Sequence, residues 1–514
     1  MKKRKLAALL IALALMVGLL AGCGSSDAGN SNNPGNSSNP GNSSDPGSTG
    51  ETWKMVMEIV NYGFNDPDLQ MVQDEVNKIT VPRIGVEVEF LPVPIMNMGS
   101  KLGMMVSGKE KIDLTVAGLL TNPNRLVAEG LLMPITQYIE GSEALMKLAD
   151  GIIDGCKVNG EIYAYPGATT NGYRVSFFYN KDLADQYNIQ MPDKLDSPEK
   201  WDAMFAQIKA SGMDAYGISL GDGNAAEYEW TVMDALGDEQ FATWGVILGG
   251  DNTDTIVNYF ATEEYKAKCL MHREWWEKGY AVPDSNSNGY TTSDSMSQGM
   301  SFGFVSNSGV TMSDAYWSST TGKNVASVPM TDIITKGGDV VNFCWGVPTT
   351  CEHPEKVVQF LELLYTDTDL ANLMNYGIEG VHYVTHEGSR IISYPDGVDA
   401  MSCGYGSFVG TYGDNSKIYQ REPLTDEFVA SIPDYMVPKA PVSKYLGYTF
   451  DQSKVAAQVA AVSAVYAQYA PSLECGIVDP DVVLPEFLSA LETAGINDVI
   501  AENQAQLNAW LAAR

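Results

Sequence analysis

Strand-like and helix-like segments alternate along most of this chain, and the alternation points to a largely parallel sheet covered by helices. Trp53 to Val60 is rich in apolar residues, Pro67 to Ile79 has helical spacing, and Val86-Glu-Val-Glu-Phe90 alternates with period two. Gly99 to Ser107 then reads as a helix, Ile112-Asp-Leu-Thr-Val116 as a buried strand, and Pro123 to Glu129 as a short helix. One α/β lobe is thus complete before residue 165. A short hairpin over Val158 to Gly167 leads into an extended stretch from Tyr173 to Asn180, after which a second set of elements begins. It contains a helix at Pro198 to Ala210, a strand at Tyr216 to Leu220 and a helix at Thr262 to Lys278. Val325 to Pro329 reads as another crossing strand and Pro354 to Tyr365 as an amphipathic helix. Gln452 to Tyr469 and Pro485 to Trp510 are strongly helical.

Ahead of these lobes, Lys2, Lys3, Arg4 and Lys5 precede an apolar run from Leu6 to Leu20 that ends in Leu20-Ala21-Gly22-Cys23. The run is shorter than the roughly 20 residues a spanning helix needs, and basic residues before it make it an export signal. Ala21 and Gly22 before a cysteine resemble the lipobox of bacterial lipoproteins. Cleavage is therefore expected after residue 22, leaving lipidated Cys23 as the first residue and the membrane anchor. Ser25 to Gly50 has no aromatic or large aliphatic residue and holds the near-repeat Asn33-Pro-Gly-Asn-Ser-Ser38, Asn39-Pro-Gly-Asn-Ser-Ser44. Such a stretch cannot bury a core and reads as a flexible tether over 23–50.

Taking the four basic residues of the leader from the 32 in the chain leaves 28 against 64 acidic, a formal charge of −36. That excludes nucleic acid and polyanions, whose phosphates need clustered Lys and Arg, and suits a neutral or cationic ligand. Most of the charge is accounted for by a well-solvated surface. Besides Cys23 there are cysteines at 156, 269, 344, 351, 403 and 475, without CxxC pairs. They form neither a disulfide framework nor a zinc site; free thiols are expected, with Cys344–Cys351 the one bridge an exported chain could form.

The order of segments resembles the family 1 extracellular solute-binding proteins of bacterial ABC importers, the maltose-binding-protein-like group. Its carriers are Lys101-Leu-Gly-Met-Met-Val-Ser-Gly-Lys-Glu-Lys-Ile-Asp113, Asn159-Gly-Glu-Ile-Tyr-Ala-Tyr-Pro166 and Phe178-Tyr-Asn-Lys-Asp-Leu183, then Ser197-Pro-Glu-Lys-Trp201, Trp276-Glu-Lys-Gly-Tyr280 and His353-Pro-Glu-Lys-Val-Val-Gln-Phe-Leu361. Leu373 to Tyr383 and Gly495 to Trp510 resemble the longer Gram-positive lipoproteins associated with oligosaccharide uptake. The resemblance implies an α/β, two-lobed periplasmic-binding-protein-like (type II) fold with a ligand cleft between the lobes. The lobes are expected at 51–165 plus about 326–368 and at 166–325 plus about 369–514. It also implies an oligosaccharide ligand, permease subunits and an ATPase as partners, a monomer on the outer face of the cell membrane, and no enzymatic activity. A peptide or other polar solute is the alternative ligand, and a surface polysaccharide-degrading enzyme the alternative outside the class.

A sugar offers hydroxyls and apolar ring faces, so its cleft needs aromatic rings beside amides, hydroxyls and carboxylates. Such groups stand near the ends of the expected strands: Asn61 and Tyr62, Tyr173, Glu227 with Tyr228 and Trp230, Asn307, Trp317, and Trp345. Taken singly, each is more often core than ligand contact. Their place after strands, where open α/β sheets bind ligands, favours the set, with Trp230 and Trp345 as stacking platforms from opposite lobes. No P-loop or Gly-x-Ser-x-Gly elbow is present, and nothing singles out a pair of catalytic carboxylates. His382 and His386 lie on an extended stretch without the helical frame of a zinc site. No cofactor is expected. Asp284-Ser-Asn-Ser-Asn-Gly289 copies the first half of a calcium loop, but its twelfth position is Ser295 instead of Glu, so a polar loop is the plainer reading.

Overall fold

A computed structural model describes residues 52–61, 66–119, 121, 123–220, 233–234, 236, 244–248, 253–341, 343–400, 402–407 and 410–513. The leader, Cys23 and the tether lie outside the described residues. In chain order the elements that matter here begin with β1 (Trp53–Asn61), α1 (Leu69–Ile84), β2 (Val86–Pro94), α2 (Met98–Gly108), β3 (Thr115–Val116) and β4 (Ala164–Pro166). Next come β5 (Arg174–Asn180), α3 (Pro198–Ala210), β6 (Tyr216–Ile218), α4 (Glu263–Glu277), β7 (Ser301–Ser308), α5 (Asp314–Thr321) and β8 (Val325–Pro329). The chain closes with β9 (Cys344–Gly346), α6 (Pro354–Thr366), α7 (Thr368–Tyr376), α8 (Ala456–Glu474), α9 (Pro480–Ala494) and α10 (Ile496–Ala512).

In the first lobe β1 and β2 pair in parallel from Trp53↔Val86 to Asn61↔Pro94, and Leu114 bridges Met57 in the same direction. The turn between α1 and β2 needs the left-handed Gly85, φ 65°, whose N–H caps the Val81 carbonyl. Side chains of α1 then tie the helix to the backbone of β2. Asn77 Nδ2 donates to the Val88 carbonyl at 2.9 Å while its Oδ1 accepts from Val88 N at 2.6 Å, and Gln73 Oε1 accepts from Phe90 N at 2.7 Å. These amides satisfy edge groups that a strand would otherwise leave open to another chain. β9 returns from far along the sequence to lie antiparallel between β3 and β4. The core beneath joins Met57, Val88, Leu114, Ile162, Trp345 and Phe360.

The second lobe holds a four-stranded sheet in the order β8-β5-β7-β6. β5 runs antiparallel to both β7 and β8, whereas β7 and β6 are parallel. This sheet is therefore mixed, unlike the expectation from alternation, which reveals element type but not strand direction. On one face Phe177 meets Trp201, Phe205 and Phe302, with Trp275 behind them. A further core joins Tyr259, Phe260 and Tyr265 to α8, α9 and α10. The C-terminal helix expected over Pro485 to Trp510 is two helices, broken where Gly495 takes φ 96°.

Three chain passes meet between the two sheets. Residues 167–173 lead from β4, paired at Pro166 with Cys344, to β5, paired at Arg174 with Ser308. Residues 330–341 lead from β8 toward β9, and 435–446 run beside them. Tyr173 bridges Ile334, Thr335 bridges Val442, and Gly172 N donates to the Tyr435 carbonyl at 3.0 Å. A Cβ on Gly172 would come within 2.5 Å of Ala440 Cβ and 2.8 Å of Ile333 Cγ2, so the passes are packed backbone to backbone. The sequence placed the crossings near Val158–Pro166 and Val325–Pro329. Those residues are sheet or hairpin, and the crossings begin just beyond them. Cys344 and Cys351 form no disulfide.

Candidate functional site

Parallel strands put their carboxyl ends on one edge, where a cleft in an α/β fold takes its ligand. In the first lobe that edge is marked by Asn61, Pro94 and Val116, and in the second by Ile218 and Ser308. The sequence-selected Asn61 is partly buried at the last position of β1.

Tyr173, at the end of the first crossing, lies over Gly309; a Cβ on that glycine would stand 2.6 Å from Tyr173 Cδ1. Its hydroxyl pairs with the Thr311 side chain, and burial pushes its pKa above the ordinary value. Asn307 sits partly buried two residues before Gly309, on β7 opposite Val175. Tyr173, Asn307 and Thr311 thus share the same stretch of the second lobe's edge.

The second crossing brings an acidic group beside them. Burial pushes the Asp339 carboxyl up to about 7, against the pull of Lys336 and a hydrogen bond from Lys336 N, while Asp234 nearby adds repulsion. That bond measures 2.6 Å. Asp234 accepts from Leu236 N at 2.8 Å, from Gly337 N at 3.1 Å and from the Ser443 hydroxyl. Asp339 and Thr311 were not selected from sequence. The available signal was Lys336-Gly-Gly-Asp339, a polar turn between two strands.

Trp345 corrects an expectation. It is 0% exposed in the first core, with Phe343 edge-on at 5.2 Å and Tyr412 tilted at 5.6 Å. A ring with no exposed face has no surface for a sugar. Placed at β9 between β3 and β4, it faces inward because β9 is a central strand covered on its core side. Trp317 is partly buried and packs on Phe304 at 4.9 Å and Phe178 at 5.8 Å. Tyr62, Glu227, Tyr228 and Trp230 lie outside the described residues.

The two histidines serve separate partners: His382 Nδ1 accepts from Ile378 N at 2.8 Å and its Nε2 is 3.3 Å from Asp68 Oδ2, whereas His386 Nε2 meets Ser393 Oγ at 3.0 Å. Among the described residues no group of three or more His, Cys, Asp or Glu could hold a metal ion. In the stretch that resembles half a calcium loop, the Asp284 carbonyl accepts from Ser287 N and Asn288 N. Ser295, at the twelfth position, is buried and bonds to Ser219 and Thr291.

Two α/β lobes joined by packed crossings, with polar and aromatic groups at the strand ends between them, define a two-lobed ligand-binding protein. The chain belongs to the bacterial extracellular solute-binding protein family, whose model matches residues 77–380. A second model, described as a domain of unknown function (DUF3502), matches residues 444–512. A carbohydrate ABC transporter substrate-binding protein of Streptococcus pneumoniae serotype 4 is 25% identical over 474 residues, covering 89% of this chain and 91% of that protein. The crystal structure of the N-glycan transport solute binding protein NgtS from Streptococcus pneumoniae has a TM-score of 0.73 at 22% identity, covering 90% of this chain and 99% of its own. An HMO binding, ABC-transporter associated solute binding protein from Bifidobacterium longum infantis has a TM-score of 0.59 at 12% identity, covering 89% and 99%. At these identities the two structures establish the fold.

Proposed function

We propose that the chain captures an oligosaccharide outside the cell and delivers it to an ABC importer, acting as a monomeric receptor and not as an enzyme. The observation that carries this reading is the match over 89% of the chain to a protein described as a carbohydrate ABC transporter substrate-binding protein. The cleft chemistry supports it: Tyr173, Asn307, Thr311 and Asp339 offer a ring, an amide, a hydroxyl and a carboxyl, as a polyhydroxylated ligand requires. The export signal and Cys23 support a lipid anchor that holds the receptor on the outer face of the membrane beside permease subunits and their ATPase. We place the lobes near 51–165 plus 330–420 and 166–329 plus 447–514: 325–329 belongs to the second lobe by its pairing with β5, and the expected second-lobe stretch from 369 belongs to the first, because Leu370, Met374, Tyr405 and Tyr412 pack in the first core. Ligand closes the lobes because the closed state adds contacts from the second wall and so binds more tightly.

The test is calorimetry and melting of the mature chain with Man5GlcNAc, Man1GlcNAc and kestose, alongside peptides. A sugar at 100 times its Kd should add about 2.7 kcal/mol of stability. A response to peptides alone would refute the sugar, and shortening of a bound oligosaccharide on chromatography would establish an enzyme.

A further inference from the structure

The second crossing carries a carboxylate that the fold uses only in part. It stands in the turn Lys336-Gly-Gly-Asp339, which starts two residues beyond Ile334. Two backbone bonds join Ile334 to Tyr173: Tyr173 N donates to the Ile334 carbonyl at 3.0 Å, and Ile334 N to the Tyr173 carbonyl at 2.9 Å. The turn is thereby held beside Tyr173, whose hydroxyl lies in the field of Asp339. Gly337 seats the turn against the third pass: a Cβ there would stand 3.1 Å from the Tyr445 carbonyl oxygen and 3.2 Å from Asp234 Oδ1.

The two carboxylates of this corner differ in what their bonds leave over. Asp234 is occupied by structure, with Oδ1 accepting from Leu236 N and Oδ2 from Gly337 N and the Ser443 hydroxyl. Asp339 has one internal donor, Lys336 N to Oδ2, and its Oδ1 has no hydrogen-bond partner among the described residues. Asp339 lies deep enough for burial to hold its pKa near 7, yet the residue keeps part of its surface open. The charge and backbone N–H of Lys336 draw that pKa down, and the negative Asp234 adds repulsion. Lys444 and Tyr445 of the third pass are engaged by Asp254. A carboxylate accepts hydrogen bonds at both oxygens, and donors on its ionised form make that form easier to reach. Groups that donate without bringing negative charge therefore suit this corner, and sugar hydroxyls are such groups.

We propose that Asp339 selects the ligand: its Oδ1 accepts from hydroxyls of a neutral sugar unit held beside Tyr173, and binding drives the carboxyl to release its proton to solvent. This rests on the oligosaccharide reading and names the class of sugar. An acidic sugar would meet Asp339 and Asp234 together, and like charges in a desolvated corner reject it.

The test is calorimetry of the mature wild-type chain with whichever of Man5GlcNAc, Man1GlcNAc and kestose binds most tightly, at pH 6, 7 and 8, in phosphate and in Tris. Because the ionised carboxyl is the better acceptor, affinity should rise about tenfold from pH 6 to pH 8. At pH 7 the heats in the two buffers should differ by the heat of taking up the released proton. Asp339→Asn keeps an acceptor for Lys336 N and cannot ionise; it should bind at least tenfold more weakly at pH 8 and lose the pH dependence. Asp339→Ser serves if that variant fails to fold. Glu58 and Glu474 also titrate near 7, so a pH profile that persists in the variant assigns the proton to them and overturns the proposal. A flat wild-type profile, wild-type affinity in the variant, or an alginate oligosaccharide bound as tightly as the neutral sugar overturns it too. If the wild type binds none of the sugars, the oligosaccharide reading fails and the role of Asp339 falls with it; pH-independent capture of a sugar strikes Asp339 alone.

Discussion

Replacing Glu58 with Gln should flatten the dependence of stability on pH between about 4.5 and 7. Glu58 lies in β1 and is 1% exposed. Its Oε2 accepts from the Thr115 hydroxyl and from Val116 N, while Oε1 has no partner. Burial raises its pKa from 4.5 to about 7, outweighing the hydrogen bonds from Thr115 and Val116, which lower it. Above pH 4.5 the unfolded carboxyl gives up its proton while the folded one keeps it, so unfolding releases a proton and becomes easier as pH rises, until the folded group ionises near 7. At about 1.4 kcal/mol per pH unit, the loss is about 3 kcal/mol. Gln keeps an acceptor for Thr115 and Val116 and cannot ionise. The variant should match wild type near pH 4.5 and exceed it by about 3 kcal/mol at pH 8. With unfolding entropy of about 2.1 cal/mol/K per residue, a chain of this size shifts by roughly 1 °C per kcal/mol, so melting should rise by about 3 °C. Melting curves of both proteins at pH 4.5, 6 and 8 make the measurement. Parallel curves for the two proteins, or a variant less stable at pH 8, would refute the reasoning.

His272 gives the opposite slope: burial lowers its pKa from 6.5 to about 3, so its contribution is present above pH 6.5 and lost as pH falls toward 3. His272→Gln should therefore melt with a weaker acid dependence over that window. Trp345→Ala should cost roughly 3–5 kcal/mol of stability, read by denaturant unfolding; an unaltered midpoint with lost sugar binding would instead make it a ligand contact. Cys23→Ser should release the protein into the medium, checked by fractionating cells. Ligand should lower the radius of gyration in small-angle scattering without changing the circular dichroism, and an unchanged radius would count against lobe closure.

Much of the fold was legible because it is written locally. Helical spacing over Pro198–Ala210 and the run Val325–Pro329 recur with the same ends in the structure, since a proline at the first helical turn and a short β-branched run act on neighbouring residues. The direction of β5 was not legible. It depends on the route the chain takes after Gly172, and that route is fixed by contacts with Ile333, Tyr435 and Ala440, more than 150 residues away. The break at Gly495 did carry a local signal, a glycine inside a helical pattern, which continuous apolar spacing on either side concealed.

The site was harder to read for a related reason: a tryptophan near polar or glycine neighbours looks the same in sequence whether its ring faces a cleft or a core. Gly346 follows Trp345, yet it marks a close approach of Leu132 and Ala117 to the backbone, where a Cβ would stand 2.9 Å from Leu132 Cδ2. That small residue makes room for core packing on β9, and the same packing encloses the ring. Tyr316 and Trp317 show the other outcome. They are adjacent on a short helix, about 100° apart around its axis; Phe178 and Phe304 take Trp317, and Tyr316 is exposed. Choosing the larger ring from sequence selected the one the core claims first, because a buried indole removes more apolar surface from water than a phenol does.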